Sequence, residues 1–254
     1  MNYFTKGWYE LCQKISAHLH LEEEKEAEYF SEEYFQQLYN QKLMKWLSSE
    51  EQVASYRSKT KASKEGYIPC EPFDREKAIE RFRKEFTHNQ DHVKKILPEE
   101  ILKEIVDIRV YVLNKASRKV KNAVTQFCED NKKSIERTAK EYQNYKKQAL
   151  KTLDIDIVKK IRFHDCVILD VKQTDQYLSI IFDNPGGFRK IDEIQFENYQ
   201  ILKQEASIQN LWWLYDEIYK TNGKYELQVL LQNKNMDLIE FTVSAEYIVF
   251  KHNQ

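Results

Sequence analysis

Apolar residues recur at three- and four-residue spacing as far as Leu153, and at two-residue spacing from about residue 161 onward. The first period lines one face of an α-helix, the second one face of a β-strand. A chain that changes period once must be helical first and sheet-forming afterwards. Five glycines and four prolines in 254 residues leave few tight turns, so the helices should be long. The expected fold is therefore α+β, an N-terminal helical bundle followed by a C-terminal antiparallel β-sheet or small β-barrel. The expected domains are residues 1–156, helical, and 157–254, antiparallel β.

Within the first part, Thr5 is placed to cap a helix carrying Trp8, Leu11, Cys12, Ile15 and Leu19. A second helix is expected over 22–47, where Glu22, Glu23, Glu24 and Glu26 suit the positive end of a helix dipole. Residues 48–72 read as a connector closed by Pro69 and Pro72. Asp74 precedes a third helical pattern through Ala78, Phe82 and Phe86. Pro98 then opens what reads as one long helix over 98–151, through Ile101, Ile105, Val112, Val120 and Val124.

In the second part, strands are expected over 161–171, 177–183, 189–196, 199–203, 211–220, 224–232, 237–243 and 246–251. Asn184-Pro185-Gly186-Gly187 is a turn signal. Asn222-Gly223 between two apolar runs predicts a two-residue hairpin. That turn pairs Tyr219 with Glu226, Ile218 with Leu227, Glu217 with Gln228 and Asp216 with Val229. Strict alternation then sorts the side chains. Trp212, Leu214, Asp216, Ile218, Tyr225, Leu227, Val229 and Leu231 fall on the core face. Trp213, Tyr215, Glu217, Tyr219, Glu226, Gln228 and Leu230 fall on a mixed aromatic and acidic face.

The mixed face is either covered by the helical half or open to a partner. Half-exposed aromatics suit partner binding, so Trp213, Tyr215, Glu217, Tyr219, Glu226 and Gln228 are the candidate partner-binding residues. Asp216 is a carboxylate among apolar neighbours, which calls for backbone N–H partners or an arginine such as Arg162 or Arg189. A structural role for it is favoured over a functional one.

Other constellations are weaker. Glu85, His88 and His92 share a helical face, but a helix-bundle metal site needs a second Glu-x-x-His, and there is none. His18 and His20 stand two residues apart and face apart on a helix. His164-Asp165-Cys166 suggests a nucleophile and base, yet strand alternation would send Asp165 away from His164. No phosphate-binding loop, dinucleotide fingerprint, Gly-x-Ser-x-Gly or His-Glu-x-x-His occurs, so no catalytic residue, metal or cofactor is expected.

The net charge of −1 speaks against a dedicated binder of nucleic acid or anionic membrane. One stretch departs from this balance: residues 103–151 hold 13 lysines and arginines against 6 acids. It offers a surface for an acidic partner or nucleic acid, unless it answers the acidic second helix. The four cysteines form no Cys-x-x-Cys pair and read as reduced thiols. No leader or membrane-spanning run is visible, so the expected location is the cytoplasm.

The opening Tyr3-Phe4-Thr5-Lys6 with Trp8-Tyr9-Glu10 resembles the bacterial domain of unknown function 4085 family. So do His164-Asp165, the Asn184-Pro185-Gly186-Gly187-Phe188 turn, Trp213-Leu214-Tyr215-Asp216-Glu217-Ile218, Tyr225-Glu226-Leu227 with Leu230-Leu231, and Glu240-Phe241. The resemblance implies a bacterial, soluble, non-secreted protein and carries no activity with it. The expected function is a non-enzymatic protein-interaction module using the mixed face of the β part. The alternatives are a binder working through 103–151 and an enzyme centred on Asp216.

Overall fold

The computed structural model describes residues 1–61, 73–151, 153–183 and 191–251, and for 57–61 the backbone alone. Cys70, Pro69, Pro72, Arg189 and the 184–187 turn lie outside the described residues. Helices fill the N-terminal half and an eight-stranded antiparallel sheet the C-terminal half, so the fold is α+β with an open sheet. The compact units do not divide at this change of secondary structure. One comprises Met1–Gln13 with Lys132–Gln254, the other Lys14–Asn131. Packing explains why the opening residues join the strands: the rings of Phe4 and Trp8 lie 5.4 and 4.9 Å from that of Tyr215.

In the unit of residues 14–131, β1 (Glu22–Glu23) and β2 (Lys115–Ala116) form a short parallel pair. The residues expected to start the second helix are thus in a strand and a one-turn 3-10 helix, Lys25–Glu28. Helix α2 (Glu32–Lys61) starts later because Ser31 supplies the cap, its Oγ accepting the Tyr34 N–H at 3.2 Å. It then continues through residues 48–61, half of the expected connector. Asp74 caps α3 (Arg75–Ile96) as expected, accepting the Lys77 N–H at 3.0 Å.

The long helix expected over 98–151 is broken into α4 (Glu99–Leu102), α5 (Ile108–Val112) and α6 (Arg118–Ala149). The causes are local. Asp107 caps a new helix, Asn114 takes a left-handed φ of 68°, and Ser117 Oγ accepts the Val120 N–H. Glu129-Asp130-Asn131 leaves α6 continuous. Val93, Leu97, Ile101, Val120, Val124 and Cys128 share one core cluster in this unit, and Phe35, Leu38, Val110 and Leu113 another.

The other unit opens with α1 (Lys6–Cys12), where Thr5 Oγ1 accepts the Trp8 N–H at 3.2 Å. After α6 comes α7 (Ile155–Lys160), a helix the sequence pattern did not signal. The strands follow: β3 (Val167–Gln173), β4 (Tyr177–Asp183), β5 (Glu193–Glu197), β6 (Gln200–Gln204), β7 (Trp212–Thr221), β8 (Lys224–Gln232), β9 (Leu238–Ala245) and β10 (Tyr247–Lys251). Their order is β10-β5-β4-β3-β7-β8-β9-β6. β3 and β7 meet in register only at Val167 and Trp212. The four strands on each side of this narrow junction contribute to one core, which includes Ile168, Leu178, Ile180, Phe196, Leu227, Val229, Phe241 and Val243. Each such side chain contributes roughly 1.5–3 kcal/mol relative to exposure.

Candidate functional site

The β7–β8 hairpin has the expected turn and pairing. Asn222 and Gly223 take φ of 52° and 84°, the left-handed pair that a type I′ turn requires. Tyr219 pairs with Glu226, Glu217 with Gln228 and Tyr215 with Leu230. The register then shifts: Trp213 pairs with Leu231 and Trp212 with Gln232, leaving Leu214 as an inserted residue. One extra residue reverses the sense of every side chain beyond it. Trp213 therefore joins the core at 0 % exposure, while Trp212 is 38 % exposed. This corrects the expectation that placed Trp212 inside and Trp213 on the partner-binding face.

The rest of the mixed face keeps its expected members, but it is covered. Glu217 and Leu230 are fully enclosed, and Tyr215, Tyr219, Glu226 and Gln228 are half-buried. The cover comes from the same compact unit. The backbone N–H groups of Asn2, Tyr3 and Phe4 donate to the Glu217 carboxylate at 2.9, 2.9 and 2.6 Å. The Tyr219 hydroxyl donates to it as well. A buried carboxylate is tolerable only when its lone pairs are filled, and four donors fill this one. Tyr142 and Tyr145 of α6 complete the cover. Tyr145 donates to the Ile218 carbonyl at 3.3 Å, and the Ile218 N–H donates to the Tyr142 hydroxyl at 3.4 Å. Burial, then the Glu217 carboxylate, holds the Tyr219 hydroxyl protonated well above the usual phenol range. Residues 2–4 and the α6 tyrosines thus lie over this face, and Trp213, Glu217 and Leu230 are buried. Residues 2–4 carry no apolar periodicity that would have placed them there.

Arg162, one of the two arginines the sequence offers to Asp216, is exposed. The Trp213 indole N–H donates to its Oδ2 at 3.1 Å. Burial pushes the carboxyl up to about 6, against the pull of Trp213, Lys146 and His164. That value suits proton transfer at neutral pH, but the oxygen with a resolved partner is committed to the indole. His164 and Asp165 lie in a turn, not a strand. Asp165 takes a left-handed φ of 64°, which brings its carboxylate to 3.5 Å from His164 Nε2 instead of to the opposite face. The Nδ1–H of His164 donates to the carbonyl of the inserted Leu214, and its ring lies 5.0 Å from that of Tyr215. Cys166 is buried.

Several basic residues of 103–151 are answered by acids. Arg109 pairs with Glu32 and Asp107 at 2.8 Å each. Lys115 reaches Glu22 and Glu24 at 2.8 and 3.3 Å, and Arg118 reaches Glu23 at 2.8 Å. The acidic segment at 22–32 thus takes up charge that the sequence alone left open to a partner. His88 and His92 stack at 6.2 Å. Among the described residues no group of three or more His, Cys, Asp or Glu side chains is placed to hold a metal ion. Among them, too, no helix is long and apolar enough to cross a membrane. A recess of about 480 Å³ lies beside α1, lined by Lys6, Tyr9, Glu10, Gln232 and Met236 among others. Its Lys6 ammonium is held by Glu205 at 2.7 Å.

The two edges of the sheet differ. β6 breaks register against β9 between Ile201 and Lys203. Lys203 lies between Glu240 and Glu205 at 2.6 and 3.2 Å, and Glu205 accepts the Glu240 N–H at 2.8 Å. Lys203 with Lys6 holds the Glu205 carboxyl down at about 2, although burial opposes them. A bulge and dense charge are the devices that block further strand pairing. β10 has no bulge and a single charge: it pairs with β5 in unbroken register over all five residues, with Lys251 at its end held by Glu193 at 2.9 Å. On its outer face Tyr247 is 60 % exposed and Val249 36 %, while Ile248 is buried. Among the described residues no strand occupies the other side of β10. The alternation in Tyr247-Ile248-Val249-Phe250 was legible in the sequence; its position at an edge was not.

No curated protein and no solved structure matches the chain. A family model, described as a protein of unknown function (DUF4085), matches residues 29–245, from ahead of α2 to the end of β9. With most of its length matched, the chain belongs to the DUF4085 family.

Proposed function

We propose that this chain is a non-enzymatic protein-interaction module whose docking element is the outer edge of β10. The observation that carries this reading is the contrast between the two edges. β6 is bulged and charged, whereas β10 is regular and presents Tyr247 and Val249 to solvent. An edge strand offers backbone N–H and C=O groups that only another extended chain satisfies in series, so the partner is a polypeptide strand. Main-chain hydrogen bonds would supply affinity, and alternate side chains specificity. The mixed face of β7 and β8 is not the docking surface in this reading, because residues 2–4 and the tyrosines of α6 fill it. The indole partner of Asp216 supports a structural role for that acid.

The test is affinity capture with the full chain and with its Val249→Lys variant. Val249 sits on the exposed face, so the substitution leaves the core intact while adding the charge that natural edges use to refuse a strand. A partner retained by wild type and lost by the variant is expected. Equal recovery of every partner would remove β10 from the account.

A further inference from the structure

Independently of the β10 reading, we infer that the solvent face of α6, from Lys132 onward, binds the phosphate backbone of a nucleic-acid duplex. The acids that answer the basic stretch hold Arg109, Lys115, Arg118 and Lys119, all ahead of residue 120. Residues 132–162 then carry ten lysines and arginines against four acids, in a chain whose net charge is −1. Arg137, Lys140, Lys147 and Lys151 among them are exposed. Lys151 lies just past the end of α6 and keeps its turn, donating its N–H to the Gln148 carbonyl at 3.1 Å. At about 100° per residue the four side chains fall within about 40° of one line along the helix. That line runs opposite the buried Tyr142, so it is the middle of the face turned to solvent. Among the described residues none of the four has an ion pair, although Glu136 and Glu141 stand four residues from Lys140 and Arg137.

The make-up of this face selects the partner. Between the cations stand the exposed Gln143, Asn144 and Gln148, and no apolar side chain. A protein interface needs a desolvated apolar centre, and a helix lying on a membrane needs an apolar face turned to the lipid. The apolar side of α6 is spent inward, where Tyr142 is buried and Ile135, Ala139 and Ala149 are half-buried. Single strands are held by aromatic side chains that stack on the bases, and this face carries none. What remains is a row of cations that reads charge alone. A duplex turns its phosphates outward, at one charge per about 1.7 Å of axis. From Arg137 to Lys151 the row is about 21 Å long. Over that span a duplex carries about twelve charges. Contacts of this kind fix a protein on the duplex and carry no base sequence information.

The experiment follows the fluorescence anisotropy of a labelled DNA duplex as the full chain is added, between about 50 and about 200 mM salt. Four phosphate contacts should cost wild type roughly a hundredfold in affinity across that range, a slope of about −3.6 in log K against log salt. The combined variant Arg137→Gln, Lys140→Gln and Lys147→Gln should lower the slope by about 3 and weaken binding at least about tenfold at the low-salt end. Glutamine keeps the helix propensity, so circular dichroism should not change. The pair Lys140→Arg and Lys147→Arg, which keeps the charge, should bind like wild type. So should Lys84→Gln, Lys94→Gln and Lys103→Gln together, which remove the same charge from cations already paired with Glu80, Asp91 and Glu99. No binding at the low-salt end, or equal weakening by the two glutamine triples, overturns the proposal. A single strand held more tightly than the duplex overturns the duplex as partner. Polyglutamate, or vesicles containing phosphatidylserine, held as tightly as the duplex would overturn nucleic acid as the partner.

Discussion

Two adjacent acids of β7 carry opposite solutions to the same problem. Glu217 is fully enclosed and has four donors, so its charge is met by hydrogen bonds. Asp216 has the indole of Trp213, and its carboxyl responds by rising to about 6. The unfolded carboxyl titrates near 3.8. Between these values the folded state binds the extra proton, so this group stabilises the fold below the window and that contribution is lost as pH rises through it. The shift corresponds to at most about 3 kcal/mol, and partial exposure of the residue reduces it to about 1–3. Asp216→Asn keeps an oxygen for the indole and cannot ionise. Urea unfolding should find the variant about 1–3 kcal/mol more stable than wild type at pH 7 and level with it near pH 4. A constant difference across that range would mean that Asp216 is not the titrating group.

At the scale of elements, the hairpin was legible as far as local chemistry reaches. Asn222-Gly223 specifies its turn, and the turn specifies every pair up to Tyr215 and Leu230. The inserted Leu214 was not legible, because nothing in Trp212-Trp213-Leu214-Tyr215 marks where alternation lapses. The bulge sits next to the β3–β7 junction, where Trp213 N–H donates to the Cys166 carbonyl and Asp165 N–H to the Trp213 carbonyl, each at 2.9 Å. The junction belongs to residues far apart in the chain, so local patterning does not reveal it. Helix caps behaved likewise. Asp74 and Thr5 were legible because the apolar run begins right after them, whereas Ser31 was hidden by acidic residues that mimic a helix start. The bulge makes its own prediction. Trp213→Ala should cost about 3–5 kcal/mol in chemical unfolding, and Trp212→Ala under about 1 kcal/mol. The reverse order would restore the alternation that the bulge interrupts.

For the whole molecule, the broad course of helix then sheet follows from periodicity alone, while the compact units do not. Met1–Gln13 belongs with the strands because Phe4 and Trp8 pack on Tyr215 and Glu217 takes the N–H groups ahead of α1. The same contacts cover the face that composition alone would offer to a partner. The edge that we propose for recognition is a property of strand order, which no single strand encodes. Amide hydrogen exchange over residues 247–251, followed by mass spectrometry in the free chain and beside a polypeptide that the wild-type chain captures, reads that edge directly. The expected result is partial protection in the free chain, from the amides that β5 satisfies, rising in this segment and not in β6 when the polypeptide is bound. Protection in this segment that the polypeptide does not raise, or that is already complete in the free chain, would contradict it.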